Sequence, residues 1–310
     1  MAGTPRSGGM IRRRLERWSG ALFVLPTVAL LLVFFVYPVI STIRLSLDTG
    51  LFLQLQRFIG IDNYVNLFTK DRLFFELDAG GVSGALVNNV LWLVLYTGGC
   101  VGLGLVIAAL ADRVRYETAV KTIVFVPQAV AATAAGLIWL LMYAPNPNVG
   151  LLNSVLRGLG IGPVGFLGDA SLVNYALIAA AIWTGTGLAV VILSAAIKAV
   201  PTELVEAATI DGASGLQVFR SIVLPMISGP LTVVAVTLAI AAIKTFDLVF
   251  VMTRGGPNGA SGVIGYTYYN QSFEQGRGGY GAAAAVVMLI VVIPIVLLNI
   301  RRFRASEAAR

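Results

Sequence analysis

Glu206-Ala207-Ala208-Thr209-Ile210-Asp211-Gly212 is followed, after nine further residues, by Ile222-Val223-Leu224-Pro225. Pro201 suits a first helical turn, and Glu203 close behind it complements the positive end of a helix dipole. Asp211-Gly212 ends that helix, because Gly212 can adopt a backbone conformation that a side chain resists. Ser214 with Gln217 three residues on has the spacing of a capping box, which starts a second helix through Phe219, Ile222 and Leu224 as far as Pro225. The segment 198–228 therefore predicts a helix-turn-helix. Ala207 and Ala208 leave its surface almost bare, Leu204 and Val205 offer apolar grip, and Glu206 offers an anion. That is the composition of a knob onto which another protein can close.

Working outward, the rest of the chain is apolar. Of 310 residues 57% are hydrophobic and 12% charged, and the mean hydropathy is +0.86, which is too apolar for a soluble domain of average composition. A membrane-spanning helix needs about 20 mostly apolar residues. Six stretches qualify, around 21–43, 85–109, 122–143, 172–197, 229–251 and 281–300, and only the fifth contains charged residues, Lys244 and Asp247. The sequence predicts an all-α integral membrane protein whose six spans occupy 21–300, with a basic tail at 1–20 and a short tail at 301–310. Fourteen of the 22 Lys and Arg residues lie in the two tails, the 111–121 connection and the 198–228 connection, against seven in the longer connections 44–84, 144–171 and 252–280. Basic residues are retained on the cytoplasmic side, so both termini and the 198–228 segment are expected there.

Several function classes fall away. The net charge of +7 comes from basic residues at membrane borders, where anionic lipid attracts them, and does not point to nucleic acid. Cys100 is the single cysteine and the chain has no histidine, which removes an intrachain disulfide, a zinc site of the usual kind and the commonest proton shuttle. None of Lys70, Lys121, Lys198 and Lys244 follows a glycine, so no phosphate-cradling Gly-Lys-Ser/Thr loop exists and the chain is no ATPase. The apolar run from Ala21 is longer than a signal-peptide core and reads as a retained first span. The 44–84 connection, rich in acids and aromatics, predicts a cap on the membrane surface. Leu151, Leu152, Val155, Leu156 and Leu159 predict a short interfacial helix, and Arg254-Gly255-Gly256-Pro257-Asn258-Gly259 predicts turns. Tyr268, Tyr269, Phe273 and Tyr280 are expected near the outer interface.

The spacing Glu-Ala-Ala, three residues, Gly, nine residues, Ile-x-Leu-Pro resembles the cytoplasmic coupling loop of binding-protein-dependent ABC importer permeases. Further residues narrow the resemblance to the sugar type and its MalF-like half: Tyr37-Pro38 closing the first span, Gly60-Ile61-Asp62-Asn63-Tyr64, Val126-Pro127, Trp183-Thr184-Gly185, Pro201-Thr202-Glu203-Leu204, and Phe246-Asp247 leading to Met252-Thr253-Arg254-Gly255-Gly256-Pro257. The resemblance implies a type I importer permease fold in a bacterial or archaeal plasma membrane. It implies a second, MalG-like permease, two ATP-binding subunits that hold ATP and Mg, and an extracytoplasmic solute-binding protein. Glu203, Leu204, Glu206, Ala207, Ala208, Asp211, Gly212 and Ala213 would then meet the ATPase. The maltose permease carries extra N-terminal spans and a large outer domain, whereas this chain resembles the shorter six-span members, so maltose is not carried over as the substrate.

Polar and aromatic residues within the spans are candidates for the solute path: Asn88, Asn89, Trp92 and Tyr96 in the second, Gln128 and Trp139 in the third, Trp183, Thr184 and Thr186 in the fourth. Each also suits helix packing. Lys244 and Asp247 fall within the fifth span, three residues apart on one helical face. A salt bridge between them is expected ahead of solute contact, with the pair turned inward because lipid solvates neither. A sugar is the expected solute, with glycerol phosphate or another polar solute as the alternative. An ion-gradient carrier would need broken helices in matching halves and buried acidic ligands, and a membrane enzyme a catalytic cluster; the sequence offers neither.

Overall fold

The computed structural model describes residues 23–308 except 53, 79, 80 and 113. The basic tail 1–20, the first residues of the expected first span, and Arg113 lie outside the described residues. Helices α1 (Phe23–Ser46), α3 (Ala85–Ala111), α7 (Val173–Lys198) and α13 (Gly278–Ala308) run unbroken. Two further candidate spans are bent pairs. α4 (Glu117–Ala129) meets α5 (Ala132–Met142) at 102°, and α9 (Gly215–Met226) meets α10 (Ser228–Ile243) at 73°. Counting each pair as one span gives six. Shorter helices are α2 (Asp62–Thr69), α6 (Leu151–Gly158), α8 (Thr202–Ile210), α11 (Asp247–Met252) and α12 (Ile264–Tyr269). The strands β1 (Glu76–Asp78) and β2 (Gly81–Ser83) form one antiparallel hairpin in which Leu77 faces Val82.

The centre of the bundle is the α3–α7 pair, and small residues set its approach. A methyl group on Gly104 would overlap the Ala189 side chain, and one on Gly185 would overlap the Tyr96 hydroxyl. Trp92, Cys100, Ala108, Leu177 and Leu193 are buried beside this seam. Close backbone approach is how spans gain packing where lipid supplies no hydrophobic drive.

Three sequence expectations are corrected. Pro38 does not close the first span: a π-helical turn at Leu32–Val36 precedes it and the helix continues to Ser46. Such a turn re-routes the backbone bonds that a proline disturbs. The third span is not one helix, because Pro127 sits in a 3-10 turn, Val126–Ala129, after which Val130 and Ala131 are extended. The fifth span stops at Ile243, and Phe246 leaves helical geometry (φ −149°) before α11 begins. Residues 301–308 of the expected tail are helical and continue α13. The broken helices that the sequence did not reveal are therefore present in two spans.

At the end of the bundle away from the α8–α9 hairpin, a cap is built on Asp48. Its Oδ1 accepts from the backbone N–H of Gly50 (2.9 Å), Gln56 (2.6 Å) and Arg57 (3.0 Å), while Asn63 Nδ2 donates to the carbonyls of Ser46 and Asp48. α13 enters beneath this loop. Any side chain on Gly278 or Gly279 would collide with the Phe52 or Asp48 carbonyl, and Phe52 N–H donates to Gly276 O at 2.7 Å. Desolvation pushes the Asp48 pKa up, but the three N–H donors and the Arg44 charge outweigh it and hold the carboxyl below its usual value.

Gly104→Val should destabilise the folded chain by about 1–3 kcal/mol, the usual cost of overpacking. Gly102→Val, on the same helix with nothing within 4 Å of its added carbon, should leave the melting midpoint in detergent near wild type. Because the folded-state pKa of Asp48 is depressed, its stabilisation is complete above the unfolded carboxyl pKa and is lost as pH falls through the folded value. Thermal stability measured from neutral pH into that acidic range should decline more steeply for wild type than for Asp48→Asn.

Candidate functional site

Two features invite function: the hairpin at one end of the bundle, and the place where the broken spans meet. In the hairpin Pro201 is the N-cap of α8 and Asp211 its C-cap. Gly212 takes φ +85°, its N–H donates to Thr209 O (3.1 Å) and the Ala213 N–H to Ala208 O (3.0 Å). That pair of bonds is a Schellman stop, which needs a left-handed residue at the glycine. Ser214 Oγ accepts from Gln217 N–H and Gln217 Oε1 accepts from Ser214 N–H (2.7 Å), so the capping box is complete. α9 then passes Pro225 and ends at Met226, one residue beyond the expected stop. Val200, Val223 and Ile227 form a small core that rests on Leu105 of α3 and Ala196 and Ile197 of α7.

The outer surface of the hairpin is bare. Glu203, Glu206, Ala207, Asp211 and Gly212 are exposed, Ala208 and Ala213 half-buried. Ile210 is 86% exposed, Leu216 67% and Leu204 45%. Behind it lies a cavity of about 560 Å³ lined by Asp112, Lys198, Thr202, Glu206, Thr209 and Phe219 among others. At its edge Lys198 Nζ reaches Glu117 Oε2 (2.8 Å) and Asp112 Oδ1 (3.6 Å), and Lys121 pairs with Glu117. The ends of α3 and α7 and the start of α4 are thus tied at one point. Sequence reading missed this cluster, although acids and lysines at span ends were its visible signal.

At mid-bundle, a cavity of about 370 Å³ is lined by Tyr96, Gln128, Thr184, Gly185, Thr237 and Leu248 among others, within the range of about 300–1,000 Å³ for small-molecule sites. It opens where Pro127 bends the α4–α5 span, and α11, just after the α10 break, packs on α5 with Val251 against Gly136. Of the sequence candidates the cavity gathers Tyr96, Gln128 and Thr184. Thr237 was missed, although a threonine in an apolar span is legible.

The other candidates lie elsewhere. Asn88 Nδ2 donates to the carbonyls of Ala260 (2.8 Å) and Gly262 (2.7 Å), and its Oδ1 accepts from Asn174 Nδ2. Asn89 Nδ2 donates to Ile243 O (3.1 Å) and its Oδ1 accepts from Ile264 N–H (2.8 Å). Both amides are taken up by backbone that the breaks leave open. Trp92 is buried, Thr186 bonds its own helix at Ile182 O, and Trp183 stands edge-on to Trp139 at 5.8 Å. Lys244 and Asp247 do not share a helical face, because the chain leaves helix between them. Both are exposed on the isolated chain and no ion pair joins them among the described residues.

Residues 100–304 match the family described as binding-protein-dependent transport system inner membrane component. The chain belongs to this family. The permease is 41% identical over 293 residues to an osmoprotective compounds uptake permease protein, GgtC, of Synechocystis sp., covering 93% of this chain and 100% of that one. It is 37% identical over 285 residues to an alpha-glucoside transport system permease protein, AglF, of Rhizobium meliloti, covering 90% and 81%. The trehalose/maltose transport system permease protein MalF of Thermococcus litoralis is 33% identical over 295 residues, covering 93% and 95%. In fold the permease matches a chain of a bacterial ABC transporter involved in import of the acidic polysaccharide alginate, with a TM-score of 0.75 over 96% of this chain and 99% of that one at 22% identity. The ion-gradient and enzyme alternatives fall with this membership.

Ser214→Ala removes the oxygen that caps α9 and should cost about 1 kcal/mol of local stability. Hydrogen exchange at the backbone amides of 215–218 should speed up in this variant, while those of α7 stay as protected as in wild type.

Proposed function

We propose that this permease imports a sugar, driven by ATP hydrolysed on separate subunits. The hairpin carries the reading: α8 and α9 are each closed by local capping bonds, anchored by their own small core, and left with Leu204, Ile210 and Leu216 uncovered. An apolar patch on a rigid, capped unit is a protein-docking surface. Its occupant is one of two ATP-binding subunits, which hold ATP and Mg, and Glu206 faces a basic side chain there. The distribution of Lys and Arg supports a cytoplasmic hairpin and two cytoplasmic termini in a bacterial or archaeal plasma membrane. A second, MalG-like permease completes the path, and an extracytoplasmic binding protein delivers the solute.

Motion of the ATP-binding subunits pushes the hairpin, and the spans alternate between inward and outward opening about the cavity at Tyr96, Gln128 and Thr184. Lys244 and Asp247, exposed on the isolated chain, support a second permease on that side, since ionisable groups left facing lipid are costly. A sugar is favoured by the glucoside and trehalose/maltose relatives. The 41% identical relative named for osmoprotective compounds supports a second reading, a small polar osmolyte.

Purification in mild detergent should recover a second permease, an ATPase and a binding protein that stimulates ATP hydrolysis, and the ligand carried by that binding protein identifies the solute. Recovery of the chain alone, without ATPase activity, would remove the basis of the reading. Glu206→Lys and Gly212→Asp should abolish uptake while the chain stays in the membrane; normal coupling in both variants would sink the hairpin assignment.

A further inference from the structure

At the capped end of the bundle a cavity of about 500 Å³ lies between α2 and the start of α13. Asn63, Asn66 and Lys70, the last being the C-cap of α2, reach it from one side; their spacing of three and then four residues places them on one helical face. Gln271, Arg277 and Tyr280 close the other side. One bond holds the two walls together, from the Tyr280 hydroxyl to Asp71 Oδ2 at 2.8 Å. It ties the neighbour of Lys70 to a residue one turn after Arg277, and so brings two cations to one cavity. The Arg277 N–H donates to Gln271 O at 2.7 Å, which keeps Gln271 beside them.

Asp71 is the one carboxylate among the described lining residues, and its oxygens are already engaged. Oδ1 accepts from Leu73 N–H (3.0 Å) and Phe74 N–H (3.2 Å), and Oδ2 from Tyr280. Among the described residues neither Lys70 nor Arg277 makes an ion pair, whereas Arg72 nearby meets Glu76 at 3.3 Å. Lys70 and Arg277 are exposed, Asn66 and Gln271 half-buried, and Gln271 Oε1 is buried without a hydrogen-bond partner. Two cations and two amides with no free acid to meet them suit an oxyanion. A guanidinium offers it parallel donors and an ammonium a point charge, and an amide turned end for end presents N–H to an oxygen. A second cavity of about 320 Å³ shares Asp71 and Gln271 and adds Arg254 and Asn258, which leaves room for a larger group that carries the anion.

We propose that this cavity is an oxyanion site at the capped end of the permease, in which Lys70 and Arg277 supply the charge and Asn66 and Gln271 the further hydrogen bonds. A phosphate or a carboxylate satisfies it. Two sources offer that chemistry: a free anion, and an acidic side chain of the extracytoplasmic binding protein. The site does not depend on which solute is imported; its second source rests on the binding-protein partner of the preceding section.

Two measurements test it and separate the sources. In the first, the permease purified in detergent is melted in sodium phosphate and in sodium chloride at matched ionic strength. At about ten times the half-saturating phosphate concentration the wild-type midpoint should stand about 2–4 °C above its chloride value, and Lys70→Gln combined with Arg277→Gln should remove that difference. Arg72→Gln, a cation outside the cavity lining, should keep it, which sets binding apart from the general stabilising effect of phosphate. In the second, the binding protein is titrated onto the complex at low salt. The double variant should weaken its association about tenfold where an acidic side chain is the source, and phosphate should then compete with it.

A phosphate effect that disappears in the double variant, beside unchanged association, assigns the site to a free anion. Association that weakens in the double variant assigns it to the carboxylate of the binding protein, with or without the phosphate effect. A phosphate effect that survives both substitutions, beside unchanged association, overturns the site, and so does the absence of either effect in wild type and variant alike. If no binding protein is recovered, the importer reading fails on its own account and the melting experiment alone decides the site.

Discussion

Asn89 carries the constraint on which the architecture depends. Where a helix stops inside a membrane, its last carbonyls and the first N–H groups of the next segment have no water to bond, and each costs several kcal/mol if left open. One side chain serves two separate helix ends, donating to Ile243 O at the end of α10 and accepting from Ile264 N–H at the start of α12. Asn88 and Asn174 do the same for the carbonyls of Ala260 and Gly262 in the loop between. The permease can therefore interrupt a helix, and the interruption sets Leu248 on the cavity wall and leaves Asp247 exposed. Without such braces an unbroken helix would be the cheaper structure and the site would close.

Much of the fold was legible because its signals are local. Apolar length located the spans; the Ser214/Gln217 spacing marked the capping box that the structure contains, and Gly212 marked the stop of α8. The short helix α6 followed from leucine spacing. What escaped depends on residues far apart in the chain. Nothing within 229–251 marks Ile243 as a helix end, for the stretch has no glycine or proline after Pro230; the stop is held by Asn89, more than a hundred residues earlier. Pro127 was visible, but a proline predicts a disturbance, not a bend of 102°. The same distance effect governs the path candidates. Asn88 and Asn89 read as polar residues free to bind a solute, whereas the backbone of the last third of the chain already engages them.

The hairpin and the cavity are joined by ordinary packing. Val200, Val223 and Ile227 seat the hairpin against α3 and α7, and α3 and α7 carry Tyr96 and Thr184 on the cavity wall. The close seam at Gly104 and Gly185 leaves those two helices little freedom to slide past one another, so displacement at one end reaches the other with small loss.

The cluster at Glu117 gives this linkage an unusual mounting. Its members are partly exposed, from 20% of the side-chain surface at Lys121 to 50% at Lys198, so water still weakens the pairs and they add modestly to folding stability. Their value is mechanical. One carboxylate shared by Lys121 and Lys198 pins the start of the third span to the end of the fourth, and Asp112 adds the second span to the same pin. Three helices that are separated by loops in the chain are gathered there as spokes at a hub. Because water reaches the hub, its stiffness is set by the ions of the surrounding solution as much as by the protein, which makes the tightness of this joint a property of the salt that bathes it.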